Sequence, residues 1–150
     1  MNIFIGADHR GFAMKEGLIA WLQQQGHNVE DMGATEFTEG DDYPDYAMLV
    51  AKKIAEDIEN NRGILLCGSG VGMAVAANKV AGVRAALIHD VEIAKIARND
   101  DDINILALGS DFISLEEAQA IASTFLSTPF SGLERHVRRV GKIAEMEKNE

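Results

Sequence analysis

Residues 63–72 read Gly63-Ile64-Leu65-Leu66-Cys67-Gly68-Ser69-Gly70-Val71-Gly72. A short apolar run that ends in a glycine-rich turn is the pattern of a strand covered on both faces, as in a parallel sheet. Similar runs recur at Asn2–Gly6, Asn28–Met32, Arg84–Ile88 and Ile103–Leu108. Between them lie stretches of helical period. Phe12, Leu18, Ile19 and Leu22 share one helical face; Leu49, Val50, Ile54 and Ile58 share another. A third helix is expected after Gly72, and Asp90 is placed to cap a fourth. Ser114-Leu115-Glu116-Glu117 has the form of a capping box that opens a fifth. Leu133 to about Met146 predicts a last helix, polar and partly basic. Strand and helix alternating in this way give an α/β fold, a parallel sheet with helices on both faces.

The chain has 150 residues, enough for one domain, 1–150, with a real core. No repeat, low-complexity tract or linker interrupts it. The net charge of −10 excludes a nucleic-acid backbone or an anionic membrane surface as the expected partner, while a small anion needs only a few local cations. One cysteine allows no internal disulfide and suits a reducing compartment, so a cytoplasmic protein is expected. The first residues lack a basic stretch and reach Asp8 too early for a secretory signal. No apolar run approaches the ~20 residues of a membrane span.

In doubly wound sheets, ligands bind beyond the carboxyl ends of the strands. That rule directs attention to Asp8-His9-Arg10, to Cys67–Gly72, to His89-Asp90 and to the residues after Leu108. The turn at 68–72 is either a tight strand–helix connection or a nest of convergent N–H groups that binds an anion. It lacks the Lys-Ser/Thr ending of a P-loop. Cys67 at its mouth is either a buried apolar cysteine or, as its place at a strand end beside the nest favours, a thiolate nucleophile or general base. Asp8-His9-Arg10 is either a helix cap and solvated turn or a set of ligands, Asp8 offering a carboxylate to sugar hydroxyls and His9 and Arg10 offering cations to an anion. Asp41, Asp42 and Asp45 either rim the site or belong to a solvated loop and a helix start. Arg135 and Arg139, four apart on one helical face, suit a phosphate or pair with acids of this chain or a neighbouring subunit. His27 reads as structural.

Taken together these motifs resemble the type B ribose-5-phosphate isomerases and the related galactose-6-phosphate isomerase subunits. The resemblance spans nearly the whole chain: Gly6-Ala7-Asp8-His9-Arg10-Gly11-Phe12, Asp42-Tyr43-Pro44-Asp45-Tyr46-Ala47, Ile64 to Gly72, Ala76-Ala77-Asn78-Lys79, Gly82-Val83-Arg84-Ala85-Ala86, Asn104 to Gly109 and Arg135 to Val140. It implies a Rossmann-like three-layer sandwich with a five-stranded parallel sheet and a C-terminal helical arm. It also implies a homodimer or homotetramer with sites at subunit contacts, and neither nucleotide nor metal. The implied activity is aldose–ketose isomerisation of ribose 5-phosphate and ribulose 5-phosphate through an enediolate. Carried over, Cys67 is the base, and Ser69 with the N–H groups of Gly68, Gly70, Val71 and Gly72 holds the enediolate oxygen. Asp8 holds sugar oxygens; His9, Arg135 and Arg139 hold phosphate.

Two positions depart from the family pattern. Asp100 stands where members have a histidine that helps open the sugar ring, and Asp101 where they have an asparagine. Asp100 is therefore expected in ring handling and Asp101 at the substrate. Asp111 stands where many members have an arginine, so Arg10, Arg98 or Arg138 must replace that cation. The alternatives are the same chemistry on a tetrose 4-phosphate, allose 6-phosphate or galactose 6-phosphate, or a non-catalytic phosphate- or nucleotide-binding module.

Overall fold

The computed structural model describes residues 1–149. Five strands form one parallel sheet in the order β2-β1-β3-β5-β4: β1 (Asn2–Ala7), β2 (Asn28–Asp31), β3 (Asn61–Cys67), β4 (Ala85–Leu87) and β5 (Ile105–Gly109). Six helices accompany them: α1 (Phe12–Gln24), α2 (Tyr43–Glu56), α3 (Val71–Ala77), α4 (Val91–Asp101), α5 (Leu115–Ser127) and α6 (Glu134–Glu147). Alternating residues of the central strands feed two cores. Ile3, Ile5, Ile64, Leu66, Leu106 and Leu108 meet α1, α4 and α5. Phe4, Leu65, Cys67, Ile105 and Ala107 meet α2 and α3. A sheet covered on both faces needs apolar residues at every position, which is why its strands read as continuous runs. The result is the three-layer α/β sandwich expected.

The helix starts follow the sequence signals. The Asp90 side chain accepts from the N–H groups of Glu92 and Ile93, and Ser114 and Glu117 form the reciprocal capping box. The buried face of α2 differs from the expectation. Val50 and Ile54 are buried, but with Ala47 and Ala51, while Leu49 and Ile58 are exposed. Helix and sheet approach closely there: a Cβ on Gly63 would lie 2.9 Å from Val50. The glycine at 63 makes room for Val50, and the two alanines are buried on the same helix face. β4 is shorter than expected because the Asn104 side chain binds the Arg84 N–H (2.8 Å) and the Gly82 carbonyl (2.8 Å), holding the chain in a turn up to Arg84. Among the described residues no helix is long and apolar enough to cross a membrane.

Strand order reverses between β1 and β3. The connection from β1 runs to one side of the sheet and that from β3 to the other, which opens a crevice above their carboxyl ends. The functional residues gather there.

Candidate active site

A cavity of about 640 Å³ lies above the ends of β1, β3 and β5, walled by Asp8, Arg10, Tyr43, Cys67, Ser69 and Asp111. Gly68, Val71 and Gly72 complete the wall beside Cys67.

Cys67 ends β3 and is buried. Its Sγ accepts the Gly70 N–H at 3.1 Å, a bond that strengthens when the thiol becomes a thiolate. Gly70 has φ of 78°, the left-handed conformation that turns this N–H back onto the sulfur. The Val71 N–H donates to the Ser69 hydroxyl (3.3 Å). The turn is thus a nest with two donors already engaged, one of them by the thiol. A Cβ on Gly72 would lie 2.6 Å from the Tyr43 ring, so the glycine lets that ring close over the turn.

Asp8 follows β1 and is also buried. Its Oδ1 accepts the N–H groups of Arg10 (3.0 Å) and Gly11 (3.1 Å), which fixes the carboxylate above the strand end. Arg10 forms an ion pair with Asp111. A Cβ on Gly68 would meet the Arg10 guanidinium at 2.7 Å, so Arg10 lies directly over this glycine. Ser110 donates its hydroxyl to the carbonyls of Arg10 (2.8 Å) and Cys67 (3.1 Å), tying the three strand ends together. Arg10, unlike Arg98 and Arg138, lines this cavity and stands beside Asp111. Arg98 is buried between α4 and β5, bound to Asp102 and to the carbonyls of Ile103 and Thr128; Arg138 pairs with Glu134 on α6.

His9 stands beside Asp8. Its backbone N–H and ring Nδ1 both reach Asp41 Oδ1, at 2.8 and 2.9 Å, and the Tyr46 hydroxyl donates to Asp41 Oδ2 at 3.0 Å. Burial alone would raise the Asp41 carboxyl; the bonds from His9 and Tyr46 outweigh it and hold the group below its ordinary value. Burial, then the Asp41 bond and charge, pushes the Tyr46 phenol up. Asp41 is therefore more than a solvated loop acid: it holds His9 beside Asp8 without itself lining the cavity. Its spacing from His9, 32 residues, carries no periodic signal, and the only pointer in the sequence is the cluster of acids ahead of Tyr43-Pro44. Ligand atoms of Asp8, His9 and Asp41 lie within 4.8 Å of one another, the group among the described residues spaced to hold a metal ion. The hydrogen bonds from His9 to Asp41 account for much of that closeness.

The remaining expected site residues lie elsewhere in the chain. Asp100 and Asp101 end α4, on the edge where the strands begin. Asp100 Oδ1 accepts from Asn99 (2.6 Å) and lies 3.8 Å from His136 Nε2. Asp101 lines a separate cavity of about 410 Å³ with Arg84, Ile143 and Met146. The helix α6 runs along the same edge: His136 is its one buried residue, and Glu147 accepts the Gly82 N–H (2.9 Å). Arg135 and Arg139 are exposed on it. Within one chain, then, Asp8, His9, Cys67, Gly68, Ser69, Gly70, Val71 and Gly72 come together, and Asp100, Asp101, Arg135 and Arg139 do not join them.

The family model described as Ribose/Galactose Isomerase matches residues 3–143. The chain belongs to this family. Among ribose/galactose isomerases, it is 44% identical to the probable ribose-5-phosphate isomerase B of Mycoplasma genitalium over 147 residues, 98% of this chain and 96% of that protein. It is 38% identical to ribose-5-phosphate isomerase B of Mycobacterium tuberculosis, covering 99% of this chain and 91% of the relative. The crystal structure of the Mycoplasma genitalium enzyme with bound ribulose-5-phosphate superposes with a TM-score of 0.96 at 44% identity, over 99% of this chain and 97% of that one.

Proposed function

We propose that this chain interconverts ribose 5-phosphate and ribulose 5-phosphate through an enediolate, with Cys67 as the base. The observation that carries the assignment is the Cys67 thiol at the floor of the cavity, its sulfur bonded by the Gly70 N–H, beside the fixed Asp8 carboxylate. Family membership and the ribulose-5-phosphate bound by a relative of 44% identity support the substrate.

The open-chain aldose carries its carbonyl at C1 and a hydroxyl at C2. Cys67 as thiolate takes the proton from C2, and the electron pair moves to the C1 oxygen, which gives the enediolate. Ser69 and the N–H groups of the turn at Gly68–Gly72 stabilise that oxygen. The proton then returns to C1, the hydroxyl proton of C2 passes to the C1 oxygen, and the ketose is complete. Neither atoms nor electrons are gained, so no cofactor is required. Asp8 holds sugar oxygens, and His9 holds the phosphate with Arg10 nearby.

Arg135 and Arg139 reach the phosphate only from a second copy of the chain, because α6 lies on the edge opposite the cavity. The same holds for Asp100 in ring handling and Asp101 at the substrate. Leu133, Val137, Ile143 and Met146 are exposed on and beside α6, an apolar stripe that supports a homodimer or homotetramer. In the cell this activity belongs to carbohydrate metabolism, in the pentose phosphate pathway of the cytoplasm, carried by one domain spanning 1–150.

Asp100 favours a second substrate. A solvated aspartate accepts a proton but donates poorly near neutrality, and erythrose 4-phosphate needs no furanose opened. The test is ketose formation from ribose 5-phosphate, erythrose 4-phosphate, allose 6-phosphate and galactose 6-phosphate. The fastest turnover is expected with ribose 5-phosphate. Activity on erythrose 4-phosphate alone moves the substrate to the linear class, and nucleotide binding without any isomerisation overturns the enzyme assignment.

A further inference from the structure

The Asp41 side chain is nine-tenths buried, yet it forms no ion pair with a lysine or arginine. Its contacts go to His9 and Tyr46: two bonds from His9 on one oxygen, one from the Tyr46 hydroxyl on the other. An ionised carboxylate only accepts hydrogen bonds, so the His9 proton on this side resides on Nδ1. Nε2 has no protein partner among the described residues. The ring is held on another side by Phe37, edge-on at 6.2 Å, and Phe37 itself packs edge-on against Phe12 at 6.3 Å.

The loop that carries Asp41 is anchored at its base as well. Lys15 is fully buried, and its ammonium binds Asp31 (2.5 Å) and the Ala34 carbonyl (3.0 Å) beside the Phe12 ring. Burying an ammonium is costly unless it is paired and bonded, as it is here. Residues 34, 37 and 41 are thus pinned in turn, by Lys15, by Phe12 and by His9 with Tyr46.

We propose that Asp41 is a positioning residue of the site: its buried carboxylate accepts the His9 Nδ1–H and fixes the ring, so that the protonated imidazole turns its Nε2–H to the substrate phosphate. The inference rests on the reading that His9 holds phosphate. It goes beyond that reading by naming the group that fixes the Nδ1 proton and the ring orientation. A histidine free to flip presents the correct nitrogen only part of the time, and the substrate would then bear the cost of ordering the ring.

Steady-state kinetics on ribose 5-phosphate, together with ¹⁵N spectra of His9, test this. Asp41→Ala should raise KM about tenfold with kcat nearly unchanged, the loss expected for a charge-assisted bond. With the ring neutral, its His9 spectrum should move from the Nδ1–H tautomer to a mixture. Asp41→Asn keeps an oxygen acceptor and should recover most of the KM and the tautomer. In a His9→Ala background, Asp41→Ala should add nothing further, whereas a merely structural role would still add its own loss. If Asp41→Ala does not fold, Asp41→Asn and its spectrum decide the matter: a mixed tautomer there contradicts the proposal. A His9→Ala variant with wild-type KM overturns the phosphate reading, and the inference with it. A raised KM in His9→Ala beside wild-type KM and an unmoved spectrum in Asp41→Ala overturns the inference alone.

Discussion

At the level of single residues, each polar group in or beside the cavity wall is held by a partner. Asp8 is held by two backbone N–H groups, His9 by Asp41, Asp41 by Tyr46, and Arg10 by Asp111. The Asp41 carboxyl holds its proton less tightly in the native state than in the unfolded chain, where it titrates near ~3.9. Its contribution to stability is therefore present in full above that unfolded value and is lost as pH falls through the lower native value. Urea unfolding at pH 7 and at pH 3 should show a steeper acid loss for wild type than for Asp41→Asn. Parallel losses would mean that the carboxyl titrates alike in both states. The meeting of Asp8, His9, Cys67 and Ser69 was legible in the sequence because each sits at or just past a strand end, where folds of this kind place ligands. The contact of Asp41 with His9 was not, since it depends on how the eleven-residue loop between β2 and α2 folds back to the end of β1. Lys15 was equally hidden: nothing in a helical pattern reveals that a charged residue will be buried by a partner 16 positions away.

Among the elements, α6 stands out. Its polar sequence leaves only His136 buried, while Val137, Ile143 and Met146 face outward beside Arg135 and Arg139. Ser131 bonds His136 Nδ1 at 2.6 Å and so helps seat the arm against the end of α4. A helix with an exposed apolar stripe and two adjacent guanidinium groups is suited to lie across another subunit and carry its cations there. Arg135→Ala and Arg139→Ala should each raise KM for ribose 5-phosphate about tenfold or more and weaken inhibition by inorganic phosphate. Wild-type KM in both would reduce the arm to a packing element. The strands, the caps at Asp90 and Ser114 and the existence of this arm were all readable, because period, cap chemistry and composition are local. The buried face of α2 departs from the apolar pattern because two of its residues, Ala47 and Ala51, are too small to stand out in a hydrophobic period.

For the whole molecule, the parallel sheet puts the thiol on one edge and Asp100, Asp101 and α6 on the other. These edges stay apart within one chain, so on the proposed assignment the phosphate and ring-handling residues come from a second copy placed edge to edge. Sedimentation should find at least a dimer at catalytic concentrations, with specific activity falling on dilution as the dimer dissociates. A fully active monomer would contradict the shared site. A strand–helix reading of one sequence gives the topology of one chain; which faces meet between chains depends on surface complementarity that has no period. Proton transfer by Cys67 between carbons 1 and 2 of ribose 5-phosphate can be followed on that sugar in deuterated water by proton NMR. Wild-type protein should yield ribulose 5-phosphate with deuterium at C1, and Cys67→Ala should slow the conversion by about 10³-fold or more while still binding the substrate. Undiminished conversion by Cys67→Ala would contradict proton transfer by Cys67.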